Sequence, residues 1–374
     1  MSNQMEGNIK IGTHDDGITC NEVLACMLLK LLPRYMNAVI VRTQDQDILD
    51  SCDIVVGIGG IYDPSIHRYD YHMREFYETA NTILKKPNYN RKIKLSSAGL
   101  IYCHFGHEIL KILLPHIKED RIIDELFKEI YDTIIVQIDA QGNNQIMPAY
   151  HSPYYEPAVS MCDDLCNLVR NINYNTWKKG AYMEEDELFE KAMAMILHTF
   201  MDFVICAEKV WLPARKIVQN AINSRFEIHP SGQIIELSES VPWQQHLYSL
   251  EREIKLDLRI MFVIFSSGNG YLIHCVPVTS KTSFFSRRID FPGRWRGLSN
   301  EALVAVCGIE DAEFVHRNGL IARHKTRDGA ITMAMTAFQI EISSAPYIHE
   351  KEPSYNELEN MAGDIWNSSE YVPI

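Results

Sequence analysis

The stretch that most constrains this chain runs from Asp53 to Phe76, DIVVGIGGIYDPSIHRYDYHMREF. It opens as an apolar run ending at Val56, breaks at Gly57, Gly59 and Gly60, turns through Asp63-Pro64, and ends on Asp70, Tyr71 and His72. A short apolar run that stops at glycines reads as a buried strand. In an α/β protein the polar cluster after such a strand sits at the carboxyl edge of a parallel sheet, where loops present side chains to ligands. A glycine-rich turn leading into a plain surface loop carries the same punctuation, so the stretch fixes where chemistry is to be sought rather than which chemistry it is.

The flanking pattern builds a sheet around it. Asn8 to Thr13 reads as a strand, Glu22 to Leu32 as a helix with Val23, Leu24, Leu28, Leu31 and Leu32 on one apolar face, and Ala38 to Arg42 as a second strand. Strand, helix, strand and strand again imply a parallel sheet with right-handed crossovers. Ser96 to Leu114 and Asp120 to Asp139 follow as long helices, the second placing the Asp139 carboxylate where it reaches back toward the sheet edge. Residues 148–160 read as an irregular Pro- and Tyr-rich loop, and helices resume at Asp163 to Asn171 and from Glu185 to Arg225.

Beyond Phe226 the pattern alternates. Phe226 to His229 and Gln233 to Leu237 flank Pro230-Ser231-Gly232, a hairpin signal, and Met261 to Phe265 and Tyr271 to Val276 flank a second turn at Ser267-Gly268-Asn269-Gly270. A helix over Glu301 to Cys307, a strand over Glu313 to His316 and a helix over Asp328 to Ile340 complete a small domain. With 374 residues, more than one core is expected. The fold class is α/β: a parallel-sheet domain over residues 1–190, a helical connection and smaller α+β domain over 191–344, and an acidic, flexible tail over 345–374.

Charge and cysteines narrow the function classes. A formal charge of −13 disfavours a general nucleic-acid binder, because phosphate binding draws on lysine and arginine displacing counterions. Arg287, Arg288, Arg294, Arg296, Arg323, Lys325 and Arg327 nevertheless cluster late in the chain, which leaves a local basic surface or a solvated charged face. Nine cysteines without a C-x-x-C pair argue against a zinc knuckle or disulfide framework. No apolar run is long enough to span a membrane, and the amino terminus shows neither an arginine-rich amphipathic segment nor an apolar signal core. Reduced thiols then point to the cytoplasm or nucleus.

A closer identification comes from setting residues 11–26, IGTHDDGITCNEVLAC, beside the opening stretch. A strand ending in Thr-His, a turn, Cys-x-Glu, a Leu-Ala helix, an Arg-Thr strand end and Asp-x-His resemble the DHH phosphoesterase superfamily. Within it the chain resembles the melanocyte-proliferating-gene family of metal-dependent 3'-5' RNA exonucleases. The resemblance extends through Val41-Arg42-Thr43, Leu95 to Tyr102, His104-Phe105-Gly106-His107, Trp211 to Arg215, Pro242-Trp243, Trp295 to Leu298 and His324 to Arg327. It implies a DHH-type domain followed by a substrate-closing domain, a divalent metal cofactor such as manganese, and members in nucleus, cytoplasm and mitochondrion.

Residue by residue, the resemblance places the six metal-ligand positions at His14, Thr19, Asn21, Gly57, Tyr71 and Asp139. Only His14 and Asp139 keep the family's residue types. Two-metal phosphodiester hydrolysis needs carboxylates and imidazoles that neutralise both ions and hold them about 4 Å apart. Thr19, Asn21, Gly57 and Tyr71 supply no charge, whereas Asp70, His72 and Glu22 are retained. The family's second His of Asp-His-His lies by the scissile phosphate, which assigns that role to His72. The Gly-Gly-His segment of the closing domain corresponds to Ala322-Arg323-His324, so His324, Arg323, Lys325 and Arg327 are candidate phosphate contacts.

These substitutions lead to the expectation of an exonuclease-like chain with lost or weakened catalysis, acting as an RNA-binding or regulatory paralogue that forms homo-oligomers or assembles with an active relative, away from membranes. The alternative is an active nuclease with a rearranged metal site drawn from His14, Asp15, Asp16, Asp70, His72 and Asp139. A scaffold that binds no nucleic acid is a third.

Overall fold

The computed structural model describes residues 8–86, 89, 93–143, 165–172, 184–256, 260–278 and 287–344. They form two units that divide between Ala207 and Glu208. The expected loop over 148–160 and the tail from Ala345 lie outside the described residues.

In the first unit, β1 (Lys10–Thr13), β2 (Val39–Arg42), β3 (Ile54–Val56), β4 (Tyr62–Asp63) and β5 (Arg68–Tyr69) make one sheet in the order β2-β1-β3-β5-β4. All pairings are parallel except β4 with β5, which is antiparallel. Helices α1 (Cys20–Lys30), α2 (Gln46–Asp50), α3 (Ala80–Leu84), α4 (Ser97–Leu113), α5 (Asp120–Ile130), α6 (Val136–Gly142), α7 (165–172) and α8 (Glu185–Cys206) accompany it. The α/β parallel-sheet class expected from the sequence is the one observed.

Helix α1 is the centre of this unit. The sequence predicts a single apolar face, but every residue from Cys20 to Leu29 is buried, because α4 and α8 both pack on α1. A helix that is covered all round is a core helix. Helix α8 runs unbroken to Cys206 and packs on α1 and α5, so the first unit extends past residue 190. The long helix expected over Asp120 to Asp139 is α5 and α6 joined by a π-helical turn at Tyr131–Ile135. That widened turn shifts the angular phase of α6 and hence the direction of Asp139.

In the second unit, α9 (Leu212–Asn223) follows a π-helical turn at Ala207–Trp211 and carries Pro213 in its first turn, where no helical hydrogen bond is lost. Next come α10 (Arg225–Ile228), β6 (Ile234–Leu237), α11 (Gln244–Glu253), β7 (Phe262–Ser267), β8 (Gly270–Cys275), α12 (Asn300–Cys307), β9 (Ala312–Val315), β10 (Ile321–His324) and α13 (Arg327–Ser344). The sheet order is β6-β7-β8-β10-β9.

The β7–β8 hairpin is as expected, with Ile264 opposite Ile273. The earlier hairpin is not. Arg225–Ile228 is one helical turn and β6 pairs in parallel with β7. Four residues are too few for period 2 to be told from period 3.6, and Phe226 is half exposed, so no apolar face drew the segment into the sheet.

Alternation along β6 and β7 gives this sheet two covered faces. Ile234, Phe262 and Ile264 pack with Phe291, Trp295, Ala330, Met333 and Ala337, while Ile235, Val263 and Phe265 pack with Val218, Trp243 and Leu247. Within the unit, Arg288 donates from Nη1 and Nη2 to Glu251 at 2.7 and 2.6 Å and also from Nη1 to the Ile260 carbonyl, with both side chains under 9% exposed. Removing one partner strands a buried charge. Arg288→Met is therefore expected to cost about 3–5 kcal/mol in urea unfolding, and pairing it with Glu251→Leu is expected to cost less than the two single changes summed.

Candidate functional site

The carboxyl edge of the first sheet places the ends of β1, β3 and β5 side by side, and three short segments leave it. His14 follows β1, Gly57 follows β3, and Asp70, Tyr71 and His72 follow β5. The first turn of α1 brings Thr19, Asn21 and Glu22 to the same edge. A cavity of about 290 Å³ opens among His14, Asn21, Glu22, Tyr71, His72 and Arg170.

Glu22 organises this place. Its side chain is 2% exposed, and its Oε1 accepts from Asn21 Nδ2 at 2.7 Å and from Ser97 Oγ at 3.1 Å. Its Oε2 lies 3.5 Å from His14 Nε2. Asn21 Nδ2 also donates to the Tyr71 hydroxyl at 2.6 Å, and burial pushes the Tyr71 phenol up from its ordinary pKa, so it stays a neutral group. The carboxylate stands over Gly57: a Cβ built there would lie 2.7 Å from Glu22 Oε1 and 2.8 Å from Glu22 Cγ. Gly57 also has φ of +70°, a conformation that side chains rarely adopt. The space that a side chain at position 57 would enter is thus filled by Glu22.

Asp139 is engaged elsewhere. Its carboxylate is fully buried and its Oδ1 accepts from Ser96 N at 2.9 Å, Ser96 Oγ at 2.6 Å and Gly99 N at 3.1 Å. These donors belong to the N-terminus of α4, whose Ser96 cap makes no side-chain cap of its own, so Asp139 does the capping from another helix. A Cβ at residue 99 would sit 2.3 Å from both carboxylate oxygens, and only glycine admits that approach. Burial outweighs the donors and raises the Asp139 pKa to about 7. The expectation that this carboxylate reaches back to the sheet edge is corrected: it faces α4.

Asp70 and His72 form a different kind of unit. Asp70, 3% exposed, accepts at Oδ1 from the backbone N–H groups of Tyr71 and His72 and from His72 Nδ1 at 2.7 Å, and at Oδ2 from Gly60 N at 2.7 Å. Burial opposes its ionisation, but the His72 ring and these amides prevail and its pKa is lowered. The hydrogen bond to Asp70 in turn raises the His72 pKa against the effect of burial. Half of the His72 side chain is exposed, and with Nδ1 fixed on Asp70 its Nε2 is left for another group. Arg170 of α7 lines the same cavity, is exposed and has no acidic partner among the described residues. Sequence reasoning missed Arg170, because nothing in residues 165–172 marks it as near the sheet edge.

A pair of divalent ions asks for several anionic or imidazole donors converging on two points. The donors present do not fit that demand. His14 is turned to Glu22, Asp139 to α4 and Asp70 to His72, while Asp15 and Asp16 are exposed on their turn. Among the described residues no three His, Cys, Asp or Glu side chains come close enough to hold a metal ion. The rearranged set of His14, Asp15, Asp16, Asp70, His72 and Asp139 is not brought together.

The second unit's candidates are also corrected. His324 is buried, with Nε2 on the Glu310 carbonyl at 2.8 Å and Nδ1 accepting from Thr326 N at 3.0 Å, so neither nitrogen is open to a phosphate. Arg323 pairs with Glu313, Lys325 with Asp311 and Arg327 with Glu236. Of the late basic cluster, Arg294 alone lacks an acidic partner among the described residues.

Residues 10–338 match a family model named MYG1_exonuc and described as an uncharacterised protein family, UPF0160. The chain is 41% identical to the human protein called MYG1 exonuclease over 327 residues, which is 87% of this chain and 84% of that protein. It is 36% identical to the MYG1 protein C27H6.8 of Caenorhabditis elegans, over 88% of this chain and 95% of that one. The crystal structure of RecJ in complex with Mn2+ from Thermus thermophilus aligns over 97% of this chain and 57% of that one with 9% identity and a TM-score of 0.24, a likeness too slight to bear on the site.

Two outcomes follow from this packing. Gly57→Ala is expected to destabilise the first unit by about 1–3 kcal/mol, and by less in a Glu22→Ala background, as read from urea midpoints. The raised Asp139 pKa means that the folded state holds a proton that the unfolded state releases near pH 4. Stability should then fall as pH rises from about 4 to about 7 and level off above. Glu129, also raised to about 7 by burial, titrates in the same window, so the measurement is the difference between the unaltered chain and Asp139→Asn, in which the Asp139 share of the decline should vanish.

Proposed function

The chain belongs to the MYG1 exonuclease family, and from that premise we propose that it keeps the family's scaffold and a phosphate-facing pocket but no longer cleaves RNA by the two-metal route. The observation that carries this reading is Glu22 standing where a side chain at position 57 would project. Its carboxylate is neutralised from within, by Asn21, Ser97 and His14, and so no cation is needed to keep it buried. What remains open to a ligand is cationic: the Nε2 side of His72, oriented by Asp70, and the Arg170 guanidinium. Both suit a phosphate oxygen, Arg170 as a forked donor and His72 as a single one. Such a chain binds RNA, and competes with or assembles with an active relative.

A second reading, a nuclease with a rearranged metal site, has one observation in its favour. Thr19 Oγ1, His14 Nδ1 and Glu22 Oε2 are buried without a hydrogen-bond partner among the described residues, the mark of a place that takes up another polar group.

End-labelled single-stranded RNA incubated with manganese separates the two. The unaltered chain is expected to leave the RNA intact and to take up no manganese by calorimetry. The variant carrying Thr19→His, Asn21→Asp, Gly57→Asp and Tyr71→His is expected to take it up. Manganese-dependent cleavage by the unaltered chain would overturn the proposal and establish the second reading.

A further inference from the structure

Resting on the reading that this pocket receives an RNA phosphate, we propose that its ligand is a single nucleotide or the terminal one or two nucleotides of a strand, and that the remainder of a long RNA contributes nothing to binding. A cavity of about 290 Å³ stands at the small end of ligand pockets and holds roughly one nucleotide. The cations that face it are His72 and Arg170, since His14 is engaged by Glu22. Two cations neutralise one or two phosphates.

A longer strand needs a track, and the described residues do not offer one. Proteins that follow a single strand combine a line of free lysines and arginines with exposed aromatic faces on which bases stack. Here Arg288, Arg296, Arg323, Lys325 and Arg327 of the second unit are each held by an acid. For these groups a phosphate would replace a carboxylate already in place, and no counterion would be released in exchange. The aromatic ring that lines the pocket, Tyr71, is 6% exposed and lies against the His72 ring with centroids 4.0 Å apart. The overall charge of −13 repels whatever part of a polyanion extends beyond the pocket.

The test measures affinity by calorimetry and by anisotropy of labelled RNA, in EDTA, for nucleoside monophosphates and single strands of 2, 5, 10 and 20 nucleotides. Affinity is expected to change by no more than about twofold from 2 to 20 nucleotides. The slope of log affinity against log salt is expected to stay near −0.7 to −1.4, the value for one or two phosphates on a single strand. Arg170→Ala and His72→Ala, both exposed side chains, should each weaken every length by about tenfold or more. Affinity and salt slope that grow steadily with length would overturn this inference while leaving RNA binding intact. Failure of every length to bind would instead overturn the pocket reading on which it rests.

Discussion

The first unit depends on one buried carboxylate and how its charge is answered. Glu22 sits in the opening turn of α1, where the helix dipole favours an anion, and is covered on all sides because α1 is a core helix. An acid so placed must be compensated, and Asn21, Ser97 and His14 do it from three different elements. The arrangement ties β1, α1 and α4 together at the sheet edge. It also determines what the edge can do, because the carboxylate leans into the space over Gly57 and a side chain there would have to displace it. The loss at position 57 and the posture of Glu22 are one physical fact seen from two residues.

The parallel sheet, the order of its strands' first appearances and the Asp70-Tyr71-His72 cluster at its edge were legible in the sequence, because glycine breaks after short apolar runs have few other solutions. The candidate site was legible in part. His14, Asn21, Tyr71 and His72 do meet at one cavity. Asp139 does not join them, since its direction depends on a π-helical turn that hydrophobic periodicity does not encode. Arg170 was invisible for a related reason: a single arginine on a short helix gains meaning only from the tertiary placement of that helix. The basic cluster late in the chain misled in the opposite sense, because the acids that neutralise it, such as Glu236 and Glu251, lie far away in sequence.

That neutralisation separates the two units electrostatically. In the second unit, positive side chains are structural: Arg288 bridges Glu251 and the Ile260 carbonyl inside the core, and Arg327 anchors the start of α13 to Glu236 on β6. In the first unit the comparable exposed cations, His72 and Arg170, are turned to a cavity. Net charge therefore says little about where an anion binds, and the pairing of each cation says a great deal.

The persistence of the Asp70–His72 unit beside a dismantled ligand set has a physical rationale of its own. Asp70 accepts four hydrogen bonds, three of them from backbone amides that include Gly60 in the turn after β3. It is thus the element that holds the β3 and β5 loops in register, and replacing it would leave amides unsatisfied in a buried place at a cost of about 1–3 kcal/mol for each. His72 inherits its orientation from that same carboxylate. Metal ligands that served only a metal were free to change without such a penalty, whereas Asp70 was not, and a phosphate-facing imidazole survives because the residue that aims it also closes the fold.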